Sequence, residues 1–453
     1  MNEVLNQVKT IVLLMFENRS FDHMLGHLSY EKINKNVNGL KRPLASYENI
    51  YKGDVYLPFS IKNDSNLSFD IPHEFNYVKE QIAQSPVSGK RRMNGFVQAY
   101  LEASGDAPNK KSPPMGFFPS GLVPITSFLA QEYCVCDNWF CPLPTSTQPN
   151  RTMAFCGDSA IHDTKLQLIP SAGNIFDWMN NAGVKWRVYH DGLSFFVLYN
   201  GLWKYVLSNQ FRDYENLFND MKNEPGADFP QVIVVEPSYQ DAPHIGPDHP
   251  NDNHAPLAIG WGEDFLRNTY QAVTANPDRW AHTLFIVYYD EHGGFYDHVA
   301  PNPIGYQTKS NPAFSFDSLG PRIPGMLVSP FVKPGAVYNG LLDHTSVLQL
   351  LAEKFTPGKP YSATVDSRKQ QGITSISAAL TPPVSRQPPL APADPIEVKS
   401  ALGDNIAVAP ASTMGKAFEN AAQSMLTQEP ANTAIKYPEL VQWRDAVAKL
   451  RKP

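Results

Sequence analysis

Residues 284–298 read Leu-Phe-Ile-Val-Tyr-Tyr-Asp-Glu-His-Gly-Gly-Phe-Tyr-Asp-His, and the change of character in the middle of that stretch decides the fold. An unbroken apolar run from Leu284 to Tyr289 reads as a strand buried on both faces, the signature of a parallel strand inside an α/β sheet. The run then delivers two adjacent carboxylates, Asp290 and Glu291. The same form recurs along the chain: Thr10 to Phe16 runs into Glu17 and Asn18, Val184 to Tyr189 into His190 and Asp191, and Gln231 to Val235 into Glu236. Met326 to Val332 is a fifth candidate. Between two of these runs, residues 262–275 carry Phe265, Leu266, Tyr270 and Val273 at near-helical spacing. Strand, helix and strand make a crossover unit, so the expected architecture is α/β, with a mainly parallel central sheet sandwiched by helices. In such sheets ligands gather beyond the carboxyl ends of the strands, where these polar residues stand.

The chain has 453 residues, 42% of them hydrophobic, enough for a large core. No low-complexity segment interrupts it before about residue 380, so residues 1–380 read as one domain. Residues 381–453 read as a Pro/Ala-rich connector (TPPVSRQPPLAPADP, 381–395) followed by a helical tail packed on that domain. The tail helix is expected over 437–450, with Leu440, Val441, Trp443, Val447 and Leu450 on its apolar face; docking on a membrane is the alternative use of that face. A net charge of -6 argues against nucleic acid as a partner. No run approaches the roughly 20 apolar residues that span a bilayer, so the chain is expected in the cytoplasm by default, or outside it if a leader was removed. Cys134, Cys136, Cys141 and Cys156 lie close together, in no zinc-like spacing, and could be paired or reduced.

Glu17 beside Asn18 offers a carboxylate and an amide oxygen, a pair of hard ligands for a divalent cation; the plain alternative is that Glu17 caps the helix beginning near Ser20. Asp290 beside Glu291 makes a stronger case. Adjacent carboxylates at the mouth of an apolar strand repel unless a cation or donors hold them ionised. Gly293 and Gly294 permit a tight turn or a close backbone approach just after them; Asp297 and His298 read as structural. In PLPTSTQPNRTMAF (142–155), Thr147 precedes Pro149 at a helix start, so it can be a cap or a nucleophile exposed to the positive end of a helix, with Thr145 and Ser146 as neighbouring hydroxyls. His73, His190, His249 and His254 complete the set, as groups able to bind phosphoryl oxygens or protonate a leaving group.

Taken together and in order, ENRSFDHMLG (17–26), TQPNR (147–151), NHAP (253–256) followed by Gly262-Glu263, YYDEHGGFYDHV (288–299), GPRIPGMLVSPFV (320–332) and DHTSVLQLL (343–351) resemble the bacterial and plant phosphoesterase family of phosphatidylcholine-type, non-specific phospholipases C and related acid phosphatases. The resemblance runs from about Thr10 to Phe355. It implies an alkaline-phosphatase-like α/β fold with one divalent metal ion, held by Glu17, Asn18, Asp290, Glu291 and the nucleophile Thr147. It also implies that His73, His190 and His254 contact phosphate. The loop over 241–253 is longer than the family pattern, which makes His249 a competitor of His254. The expected reaction is hydrolysis of a phosphoric ester, as a phospholipase C acting on phospholipid through a phosphothreonine intermediate. The rivals are an acid phosphatase acting on small phosphate esters and a non-catalytic phosphate- or lipid-binding protein. Transient contact with a membrane surface belongs to the first reading. A glycosidase is disfavoured, because its two carboxyls stand about 5 to 9 Å apart across a sugar rather than adjacent in sequence.

Overall fold

The computed structural model describes residues 3–63, 70–83, 92–243, 249–308, 314–393 and 412–450. Eight strands form the central sheet: β1 (Thr10–Phe16), β2 (Cys134–Cys136), β3 (Trp186–His190), β4 (Phe211–Asp213), β5 (Val232–Glu236), β6 (Thr283–Tyr289), β7 (Gly325–Val328) and β8 (Ala336–Tyr338). Their order is β8-β2-β7-β6-β1-β5-β3-β4. All run in one direction except β7, which is antiparallel to both its neighbours. The fold is α/β with a mostly parallel sheet, as the apolar runs imply.

The fifth expected strand needs correction. It covers Gly325–Val328 rather than 326–332 and runs against the others. Pro330 has no N–H to extend the ladder, so the element stops early. Its beginning, not its end, lies at the edge where β1 and β6 finish.

β1 and β6 are the middle of the sheet, and every residue in both is buried. Layers cover both faces there, so the strands are apolar throughout instead of alternating. They pair in parallel from Thr10↔Thr283 to Phe16↔Tyr289. Continuing that register sets Glu17 beside Asp290 and Asn18 beside Glu291, on strands about 4.8 Å apart.

The helices that matter for the site and the tail are α1 (Thr147–Cys156), α2 (Gly260–Thr274), α3 (Thr345–Phe355), α4 (Thr413–Gln428) and α5 (Pro438–Leu450). α2 is the expected crossover helix, carrying the chain from β5 past β1 to β6. Its buried Glu263 accepts the backbone N–H groups of Ile125 (2.7 Å) and Thr126 (3.0 Å) at the start of a neighbouring helix, Pro124–Glu132.

Beyond the connector, α5 forms where the tail helix is expected, beginning at Pro438, and Leu440 and Trp443 are buried; the side chains of Val447 and Leu450 lie outside the described residues, as do connector residues 394–395. Before it comes α4, which the sequence reading left out. Met414, Phe418, Ala421, Ala422 and Met425 of α4 join the same buried cluster as the strands. All four cysteines are unpaired and buried. No helix among the described residues is long and apolar enough to cross a membrane.

Phe418 is fully buried, with its ring 5.9 Å from those of Phe195 and Tyr239. Phe418→Ala therefore leaves a cavity in the shared core and is expected to cost about 3 to 5 kcal/mol, read as a lowered urea midpoint. A midpoint equal to wild type means that α4 is not part of the cooperative unit.

Candidate active site

The parallel register delivers Glu17, Asn18, Asp290 and Glu291 to one buried point. All four are 1% exposed or less. Asn18 sits in the left-handed region (φ 57°), which turns the chain sharply after β1. Its backbone N–H donates to Asp290 Oδ1 (3.0 Å), which also accepts the Glu291 N–H (2.7 Å). Gly293 N–H donates to Glu291 Oε2 (2.8 Å), and His344, just before α3, donates from Nε2 to the Asp290 carbonyl (2.7 Å). Backbone donors thus fix both carboxylates, and one of those donors is Asn18 itself.

The Asn18 side chain faces the other way. One terminal atom of its amide lies 3.0 Å from Glu291 Oε1 and 3.2 Å from Asp290 Oδ1, and Thr147 Oγ1 is 3.3 Å from Asn18 Oδ1. With the amide oxygen turned to the carboxylates, it faces oxygens of Glu291, Asp290 and Thr147, and a cation would relieve that crowding. Turned over, the amide donates to both carboxylates and its oxygen accepts from His254 Nε2 (2.7 Å). The first orientation is the one a hard metal ion selects. Glu17 Oε1 does not decide between them, because it is already ion-paired with Arg151 at 3.2 Å. The donors present are of the kind a hard cation takes, and Asp290 and Glu291 lie within 3.2 Å of the Asn18 amide, whereas the carboxylate of Glu17 groups with Asp252 and His254.

Three adjacent hydroxyls compete for the nucleophile's position, and the structure separates them. Thr145 Oγ1 donates to the His162 carbonyl (2.7 Å). Ser146 is the N-cap residue of α1, and its Oγ donates to Asp163 Oδ1 (2.5 Å). Thr147, the first residue of the helix, is left with its hydroxyl directed at Asn18. It is not the cap. Nor is Glu17 a cap: Ser20 caps its own helix by accepting from His23 N–H (3.2 Å).

One turn along the same helix, Arg151 is the residue that sequence reasoning missed. Its guanidinium donates from Nε to Asp290 Oδ2 (3.0 Å) and lies 3.2 Å from Glu17 Oε1. Another nitrogen donates to the Tyr239 hydroxyl (3.0 Å). Burial pushes the Glu17 carboxyl well above its ordinary range, against the pull of Arg151. The same burial raises Asp290, again opposed by Arg151. Burial acts upward on Glu291 too, but His73, His292 and the Gly293 amide together hold it below the usual value.

His73 and His254 flank the cluster, with rings 6.0 Å apart. His73 donates from Nδ1 to the Ile71 carbonyl (2.7 Å), leaving Nε2 4.0 Å from Glu291 Oε1. His254 Nδ1 is 3.5 Å from both Glu17 Oε2 and Asp241 Oδ2, and Nε2 is 3.4 Å from Asp70 Oδ2. Burial alone lowers both imidazoles, yet the carboxylates outweigh it. Glu291, Asp70 and Glu74 push His73 up to about 10, and Asp70, Asp241 and Glu17 push His254 well above its ordinary value. Asp70, Asp241 and Asp252 are further residues with no advance signal, because each lies in a loop with nothing periodic around it. Six carboxyls here face three basic groups, an excess of negative charge that also suits a cation.

His190 is not brought to this cluster. It ends β3, donates from Nδ1 to Gly192 (2.7 Å), lies 3.8 Å from Asp213 Oδ1 and packs against Phe211 and Tyr437. None of its contacts among the described residues reaches Glu17, Asn18 or Thr147. β3 is separated from β1 by β5, which carries its end away from the site. His249 stacks on Trp261 (4.4 Å), so of the loop pair His254 is the one at the cluster; loop residues 244–248 lie outside the described ones. Asp297 and Asp22 are bound to Arg322 (2.9 and 3.3 Å) and His298 to Asp22 (2.6 Å), a structural ion network.

The site thus belongs to an α/β protein whose strand ends gather a cage of hard oxygen ligands beside a helix-end hydroxyl. The phosphoesterase family profile matches residues 8–356, and the chain belongs to that family. It is 33% identical over 354 residues to non-specific phospholipase C3 of Arabidopsis thaliana, a match covering 73% of this chain and 64% of the relative. It is 29% identical over 415 residues to hemolytic phospholipase C of Pseudomonas aeruginosa, covering 78% and 53% respectively. The chain therefore spans less than two thirds of the length of either. Among solved structures, a protein of the alkaline phosphatase superfamily from Vibrio parahaemolyticus overlaps at 13% identity and a TM-score of 0.36, covering 70% of this chain and 83% of that one.

A β-carbon on Gly293 meets the Asn18 carbonyl oxygen at 2.1 Å, and its φ of 63° is in the left-handed region. Its role is a close approach of backbone to backbone. Gly293→Ala forces the two ligand pairs apart and is expected to destabilise by about 2 kcal/mol or more. Urea unfolding and metal titration check it; unchanged stability and metal affinity mean the two loops are not locked together.

Proposed function

We propose that this chain is a metal-dependent phosphoric ester hydrolase that cleaves phospholipid in the manner of a phospholipase C, with Thr147 as the nucleophile. The observation that carries this reading is the meeting of the Thr147 hydroxyl with the Asp290 and Glu291 carboxylates at the Asn18 amide, each within 3.3 Å of it. The relatives named phospholipase C support the choice of substrate.

Glu17, Asn18, Asp290 and Glu291 would hold one divalent cation together with Thr147. Bound there, such an ion supplies charge that lowers the pKa of the threonine hydroxyl and offsets charge on a phosphoryl oxygen. Thr147 Oγ, at the positive end of α1, loses its proton to solvent and attacks phosphorus in line. The Thr147 O–P bond forms as the P–O bond to the leaving alcohol breaks, and the alcohol oxygen takes a proton from His73 or His254. Water then attacks the phosphothreonine, restoring the hydroxyl and releasing the phosphorylated head group. His73 and His254, held cationic by their carboxylates, bind the non-bridging oxygens. Arg151 orients Glu17 and Asp290 and opposes the burial that raises both carboxyls. In this scheme His190 has no part.

Thr147→Ala is expected to lower turnover of phosphatidylcholine by at least about 10³-fold, while divalent metal still binds, measured by titration after chelation. Metal add-back restores the wild-type enzyme and not the variant. A variant with near wild-type turnover removes Thr147 from the scheme. A chelated wild type that stays fully active removes the metal. Comparison of diacyl phospholipid with a simple phosphomonoester separates this reading from a broad phosphatase, which favours the monoester.

A further inference from the structure

Among the described residues seven large apolar side chains are exposed, and three of them fall within eight consecutive positions: Ile50 (46%), Val55 (42%) and Leu57 (36%). They belong to a hairpin in which Asn49–Tyr51 pairs antiparallel with Asp54–Tyr56. Ile50 stands directly opposite Val55, and Leu57 lies two residues beyond Val55, so all three project from one face. The opposite face is the anchor. There Asn49 and Tyr56 are buried, and Asn49 Oδ1 accepts the backbone N–H groups of Phe96 (3.0 Å) and Val97 (3.3 Å). The hairpin is thus a fixed element that holds three apolar side chains in water, a patch that calls for a partner.

The charges around it narrow the partner. Lys52 at the turn lies over the Tyr51 ring (4.9 Å), and Lys110 over the Tyr56 ring (4.9 Å) while pairing with Asp54 (2.7 Å). Lys111 follows, also exposed. Three ammonium groups, with Asp54, Glu48 and Glu102 as the carboxylates nearest them in space or sequence, border the apolar tips. Apolar tips ringed by lysines match the headgroup boundary of an anionic bilayer, where the tips leave water and the ammonium groups reach lipid phosphates.

The patch also leads inward. Phe59 and Ile61, just after the hairpin, line a cleft of about 170 Å³ together with Phe118, Leu257 and Phe295. Leu257 is three residues from His254, and Phe295 four from Glu291. Arg19, His23, Asn63 and Lys111 complete the lining, so the cleft joins the segment after the hairpin to Arg19, the neighbour of Asn18.

We propose that the hairpin over residues 49–57 seats the protein on an anionic phospholipid bilayer, with Ile50, Val55 and Leu57 entering the headgroup boundary and Lys52, Lys110 and Lys111 on lipid phosphates. This rests on the phospholipid reading above and names the surface through which that substrate is reached.

The test is co-sedimentation of the full chain with vesicles of phosphatidylcholine, with and without phosphatidylserine, for wild type and for Ile50→Asp combined with Val55→Asp. Wild type is expected to sediment better when phosphatidylserine is present, and the double variant to bind roughly tenfold more weakly. Hydrolysis of vesicle lipid falls in parallel, while hydrolysis of a short-chain phosphatidylcholine below its micelle concentration is unchanged, which also shows that the variant is folded. Lys52→Glu with Lys111→Glu, which leaves the apolar tips in place, is expected to abolish the phosphatidylserine effect alone. Vesicle binding by the double aspartate variant equal to wild type overturns the proposal, as does failure of wild type to sediment, the outcome expected if the hairpin serves a protein partner. Wild type that binds vesicles but hydrolyses no phospholipid in either form sinks the substrate reading and leaves the docking surface standing.

Discussion

The parallel pairing of β1 with β6 is the constraint on which the rest depends. It brings Glu17 and Asn18 beside Asp290 and Glu291, two pairs that are remote in the chain, and it does so through a ladder with no polar side chain in its middle. Seven buried residues on each strand leave the register no freedom to slip by one, because a slip would drive a carboxylate into the core. The apolar strands and the acidic ends are therefore one device: the first fixes where the second must stand.

Gathering that much charge in the interior is costly, since each buried ion loses several kcal/mol of hydration. The surroundings are arranged to offset it. Arg151 reaches two of the acids, backbone N–H groups reach two, and His73 and His254 lie against the others. Support extends outward to the tail. Tyr239 accepts from Arg151 and stacks near Phe418 of α4, so a helix some 260 residues later in the chain backs the guanidinium at one remove. The balance left over turns on the Asn18 amide, whose orientation decides whether Asp290, Glu291 and Thr147 face an oxygen or a donor.

Much of this was legible in the sequence because both signals are local. A β-branched apolar run that ends in acids reports a buried strand and its mouth together, and YYDEHGG does so within seven residues. The edge strands β4 and β8, and β2 beside β8, are three residues each, too short for any periodicity to show. α4 has regular spacing at 414, 417, 418, 421, 422 and 425, but three of those positions are alanine, and alanine reads weakly as core. The left-handed turn at Asn18 has no glycine to announce it. Arg151, Asp70, Asp241 and Asp252 act through contacts across the fold, so no window around them could have revealed them. His190 misled for the opposite reason: it has the local form of a site residue, a polar group closing a buried strand, on a strand two places from the centre.

Thr147 and Arg151 are four residues apart on α1, hence on one face of it. That single face presents the hydroxyl to Asn18 and the guanidinium to Glu17 and Asp290. The Thr147 hydroxyl and the counter-charge of the acids are therefore one rigid part, set against the strand ends by a helix whose ten residues are all buried. Any shift that drew Thr147 away from the cage would also strip Glu17 and Asp290 of their arginine. Such coupling holds the hydroxyl and the acids in one arrangement and carries no information about what binds there. Selectivity must then be written in what surrounds that rigid part, beginning with the loops of His73 and His254.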